Sequence, residues 1–114
     1  MVDEIFESVL RSAGDKAGVF EYDGDTGYFY LYDTEATKGQ KVVGAINLLT
    51  APADFGEEDI LIRWDANEMM VGLFIREQLW AVFDTGTGTK YGGNYVADGQ
   101  SKVPNEVVKR FLLQ

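Results

Sequence analysis

Asp23, Asp25 and Gly27 are the first residues along the chain whose spacing could do chemistry. Alternate carboxylates on a tight turn converge on one point, as they do at the start of an oxygen-ligand calcium loop. The match stops at the twelfth loop position, where a bidentate carboxylate is needed and Thr34 stands. Polar residues solvating a hairpin turn account for the same acids. A second candidate is the glycine-rich run 86–93, because glycines let backbone N–H groups approach a phosphate. Lys90 there precedes Tyr91 and not a hydroxyl residue, and the glycine spacing fits no nucleotide pattern, so the run reads as a surface loop. The third candidate is Tyr28, Tyr30 and Tyr32, one face of a strand. It is either a stacking surface for a sugar or base or ordinary sheet packing with phenols reaching water.

Composition removes whole classes of activity. The chain of 114 residues has no Cys and no His. Disulfides, thiolate nucleophiles, imidazole bases and the usual transition-metal ligand sets are therefore absent, and no catalytic residue, metal or cofactor is expected. Its 19 acidic residues guarantee that some carboxylates fall close together, so a carboxylate-dependent enzyme stays open as a third reading, without a motif to support it. With 10 basic residues the formal charge is −9, which repels polyanions. Only Lys109 and Arg110 are adjacent, at a helix C-terminus where cations complement the dipole. Nucleic acid and membrane are not expected partners. The first 18 residues show no basic stretch followed by an apolar run, which makes a cytoplasmic location the expectation.

The elements that must position these residues read as one α+β domain over residues 1–114, with 46% hydrophobic residues to build its core. Val2, Ile5, Phe6, Val9 and Leu10 fall on one face of a helix, with Asp3, Glu4 and Glu7 in its first turns and Gly14 as its stop. The pattern then alternates: strands are expected over 18–22, 28–32, 41–49 and 58–65, then a hairpin of 69–75 and 78–83 turning at Arg76-Glu77. That hairpin is apolar on both faces and should be covered twice. A terminal helix begins at Pro104 and faces inward through Val107, Val108, Phe111 and Leu112. The expected fold is an antiparallel meander of about six strands with an N-terminal and a C-terminal helix packed on it.

Four segments carry a family resemblance: Phe20-Glu21-Tyr22-Asp23-Gly24-Asp25-Thr26-Gly27-Tyr28-Phe29-Tyr30, Ile62-Arg63-Trp64, Val71-Gly72-Leu73-Phe74-Ile75 and Ala81-Val82-Phe83-Asp84. In that order they resemble a family of small bacterial proteins of unknown function with a "FEDDGxTGYFYA" segment and a later "AVFDF" segment. The resemblance covers residues 20–95 and leaves the two helices outside it. Tyr22 stands where the family pattern has an acid, and Thr85 where it has an aromatic. It implies a domain extent and no activity.

Connectivity adds one functional expectation. In an up-and-down meander the turn 23–27, the loop 50–57 and the turn 76–77 share one end of the sheet. Asp23, Asp25, Asp54, Glu57 and Glu77 would then form a negative pole, with Tyr28 and Tyr30 beside it. The leading reading is a non-enzymatic protein-binding domain that meets a basic protein through these residues, as bacterial immunity or antitoxin-like proteins do. The alternative is a small-ligand or calcium-binding module built on the first hairpin, and an outermost strand also offers a route to a homodimer.

Overall fold

A computed structural model describes residues 4–35, 41–50, 52–97 and 99–112. Period-two alternation governs nearly all of it. The strands are β1 (Ile5–Leu10), β2 (Lys16–Tyr22), β3 (Gly27–Asp33), β4 (Val42–Leu49), β5 (Ile60–Trp64), β6 (Met70–Ile75), β7 (Gln78–Asp84) and β8 (Lys90–Gly92). One helix, α1 (Asn105–Leu112), follows them among the described residues. All pairings are antiparallel between sequence neighbours, and they form two sheets, β1-β2-β3-β4 and β5-β6-β7-β8.

The expected α+β fold, one six-stranded meander with two helices, is therefore corrected to two four-stranded sheets laid face to face. β1 lies over β5, β2 over β6 and β4 over β7. The main core fills the space between them, with Phe20, Phe29, Leu48, Val71, Leu73 and Phe83 among its buried members. Gly18 marks the closest approach of the layers: a Cβ there would lie 2.6 Å from Val71 Cγ2 and 3.1 Å from Ile62 Cγ2.

The N-terminal helix is replaced by β1, while Val2 and Asp3 lie outside the described residues. Ile5 enters the core and Phe6, Ser8 and Leu10 point away from it. Pairing with β2 in the register Ile5↔Tyr22 to Leu10↔Ala17 outweighs a helical pattern only two turns long. Gly14 is a true stop signal put to another use, since its φ of 78° turns β1 into β2.

The second hairpin is covered on both faces, by the first sheet on one side and α1 on the other. Beneath α1, Val107 and Phe111 join Met70, Phe74, Leu79, Val82 and Val103 in a second cluster. Leu112, expected on the inward face, is exposed. The glycine-rich run 86–93 is a turn followed by strand rather than a loop throughout. Asp84 Oδ1 accepts the N–H groups of Gly86 and Thr87, and β8 then pairs with β7. Gly92, at φ 82°, touches the backbone of Trp80 so closely that a Cβ would fall 2.2 Å from the Trp80 carbonyl oxygen.

Hydrogen bonds tie the two layers together on both sides of the sandwich. On one side the N–H groups of Asn94 and Tyr95 donate to the carbonyls of Asn47 and Leu48 on β4. On the other, Trp64 Nε1 donates to the Val9 carbonyl on β1 at 3.0 Å, and the Arg11 guanidinium stacks on the Trp64 ring. The outer face of the first sheet is overlaid by none of the described elements.

Candidate functional site

That outer face is built from alternate residues of four strands in register. One row across the sheet is Phe6, Glu21, Tyr28 and Asn47, the next Ser8, Val19, Tyr30 and Ala45, and the third Leu10, Ala17, Tyr32 and Val42. Side chains of all three rows line a groove of about 790 Å³. Phe6 is 61% exposed and Leu10 54%, and no described element is laid across them. Tyr28 and Tyr30 stack on each other, ring centres 5.8 Å apart and planes 14° from parallel. Burial raises the Tyr30 phenol above its ordinary value, with the charge of Glu21 adding to the shift.

At the end of the strands that carries Phe6, the groove continues into a second hollow of about 400 Å³ lined by Glu4, Glu21, Tyr22, Asp23 and Glu57. Glu57, which lines this hollow, also interacts with Glu7 on the inward side of β1. Burial first, and then the shared hydrogen bond and the like charge of Glu57, hold the Glu7 carboxyl above its ordinary range. Asp23 closes the β2–β3 turn. Its Oδ1 accepts from the N–H groups of Asp25 (2.9 Å) and Thr26 (2.8 Å), which holds its own carboxyl below the usual range. Tyr22 Oη bridges this turn to the β4–β5 connection, donating to the Gly24 carbonyl and accepting from the Ala53 N–H at 2.7 Å.

The structure thus brings the turn at 23–26, the connection at 52–59 and Arg76 to one end. The pole is not uniformly negative. Arg76 lies 3.3 Å from Asp54 Oδ2 and 3.6 Å from Asp59 Oδ2, so the Asp54 charge is matched. Tyr95 Oη donates to Asp54 Oδ1 at 2.8 Å, and burial first, then this bond and the Asp54 charge, push the phenol up to about 12. Glu77 is set apart from Asp23 and Glu57, lining a cleft with Phe74, Leu79 and Val108 on the side of α1. Asp25 is exposed at the tip of the first hairpin. Asp23, Glu57, Tyr28 and Tyr30 are the expected residues that line or border the continuous outer surface.

Among the described residues no group of three or more Asp or Glu is arranged to hold a metal ion, and no helix is long and apolar enough to cross a membrane. The arrangement offers an apolar, aromatic floor with carboxylates at one end, which suits recognition by burial and charge.

A family model described as "Uncharacterized protein conserved in bacteria (DUF2251)" matches residues 3–109. The chain belongs to this family. The DUF2251 match reaches well beyond residues 20–95, taking in β1 and most of α1. No curated protein and no solved structure matches the chain.

Sequence reasoning missed Phe6, Leu10 and Val19 in the DUF2251 surface and Arg76 as the cation of the acidic end. Phe6 and Leu10 were assigned to a helix core. No alternation marks β1, because each face carries two apolar residues and one polar one, Ile5, Glu7 and Val9 against Phe6, Ser8 and Leu10.

Proposed function

We propose that this DUF2251 chain is a non-enzymatic protein-binding domain whose binding surface is the outer face of β1 to β4 with the adjoining acidic end. One observation carries the reading. On the second sheet α1 covers the outer face, while Phe6 and Leu10 stand exposed on the outer face of the first. Exposed apolar side chains gathered in a groove and rimmed by polar residues are the composition expected of an interaction site. The carboxylates of Glu21, Asp23 and Glu57 favour a basic partner. A cytoplasmic site of action belongs to the same reading.

The test is capture from a bacterial lysate with the wild-type chain, with Phe6→Asp, and with Asp23, Asp54 and Glu57 changed to their amides. A protein partner that is retained by the wild type, lost with Phe6→Asp and weakened by the amides is the expected result. Recovery indifferent to all of these substitutions would sink the proposal. The stacked Tyr28 and Tyr30 rings favour a second reading, a small flat ligand on the same floor. Calorimetric titration with sugars and nucleosides separates the two.

A further inference from the structure

We infer that what this face receives is an amphipathic helix of the partner, basic at the end that lies over Glu21; the inference rests on the protein-binding reading above. The edges are engaged only locally, where Asn47 and Leu48 accept from the 94–95 backbone and Val9 accepts from Trp64, whereas the groove and its apolar side chains lie on the face. The face is therefore the surface that a partner's side chains would meet. The molecule itself shows what covers such a face. On the second sheet the eight-residue α1 sets Val107 and Phe111 onto Met70, Phe74 and Leu79.

Dimensions agree with a helix. From Phe6 to Leu10, with Ser8 between them, the outward row spans four residue steps of β1, about 14 Å at the rise of a strand, which is the length of about nine helical residues. Charge fixes the direction. The carboxylates of Glu21, Asp23 and Glu57 gather at the Phe6 end. At the Leu10 end Lys16 and Asp33 pair at 3.9 Å and offset each other. A second copy of the chain is the poorer occupant, because each copy carries a formal charge of −9 and association would bring like charges together.

Two synthetic helical peptides of about 12 residues test this, identical in their leucines at i, i+3, i+4 and i+7 and ending in either lysines or glutamates. Each is titrated into isotope-labelled full chain and followed by amide shifts. The lysine-ended peptide is expected to bind at least about tenfold more tightly, to weaken with salt, to move the amides of Phe6, Val19 and Tyr30, and to lose affinity with Phe6→Asp. Equal affinities, shifts confined to the α1 side, or no binding of either peptide at millimolar concentration would overturn the helix inference. So would sedimentation showing the chain alone to dimerise through this face, with Phe6→Asp restoring the monomer. If the peptides fail while lysate capture still depends on Phe6, the helix inference alone falls. If capture ignores Phe6, both readings fall.

Discussion

The Arg110 guanidinium on α1 lies 3.2 Å from Oδ2 of Asp65, whose side chain is 2% exposed at the end of β5. The other oxygen, Oδ1, accepts from the N–H groups of Met69 (2.9 Å) and Met70 (3.1 Å), so one carboxylate fixes both the β5–β6 turn and the seat of the helix. The two partners are not equivalent. Asp65→Ala strands two N–H groups and a cation, and is expected to cost about 3 kcal/mol. Arg110→Ala leaves Asp65 with both backbone donors and removes a side chain that is 42% exposed, so its cost should be about 1 kcal/mol. Urea denaturation of both variants measures the difference, and equal losses would contradict this division.

The turn between β6 and β7 stores local strain. Arg76 and Glu77 have φ values of 51° and 69°, the mirror-image hairpin turn that favours Asn and Gly. Glu77→Gly is expected to raise stability by about 1 kcal/mol by relieving one such residue. Arg76→Gly should not, because it gives up the ion pairs with Asp54 and Asp59. The melting temperatures of the two variants should move in opposite directions.

What the sequence showed and hid follows from where each apolar residue points. β6 and β7 were legible because core or helix lies on both sides of them, so every residue agrees with its surroundings. β1 was not. Phe6 and Leu10 face solvent, and a helix is the arrangement that would place them on one face with Ile5 and Val9. The misreading and the candidate surface thus have the same origin, an apolar face that no element among the described residues covers. The division into two sheets was hidden because alternation reports a buried face and says nothing about which strand covers it. The crossing is made by the 50–59 connection, anchored by Phe55, whose ring packs 5.1 Å from Tyr95 and 6.3 Å from Phe20. The shared end of the turns was legible, since sequential pairing holds within each sheet. The countercharge from Arg76 was not, because nothing local links it to Asp54.

Two carboxyl groups titrate in opposite senses, and acid unfolding should reveal both. Asp15 is held down to about 2 from 3.8, chiefly by its hydrogen bond from Arg11, whose Nε lies 2.6 Å away. A depressed folded value means that its contribution is present above pH 3.8 and is lost as pH falls towards 2. Arg11→Met should therefore lower stability at neutral pH and flatten the acid limb in that window.

Glu7 is raised above its ordinary 4.5, mainly by burial and then by Glu57. A raised folded value gives the reverse sign: the favourable contribution is complete below 4.5 and disappears as pH climbs through the folded value. Glu57→Gln should stabilise the chain at pH 7, with the gain shrinking as Glu7 protonates. Thermal melts across pH 3 to 8 check both signs, and a gain that grows in acid would refute this account of the pair.

Phe6 offers the sharpest separation of stability from recognition. Phe20, on the neighbouring strand, is fully buried, and Phe20→Ala should cost about 3–5 kcal/mol through lost burial and the cavity left behind. Phe6 occupies the same sheet with its face turned to water, so Phe6→Ser should change stability by no more than about 0.5 kcal/mol. On the proposed reading, its place beside Glu21 and Tyr28 serves contact with a partner rather than the fold. Chemical denaturation of Phe6→Ser, set beside lysate capture with the same variant, should show an unchanged midpoint and lost capture. A large drop in the midpoint would return Phe6 to an ordinary packing role and remove it from the binding surface.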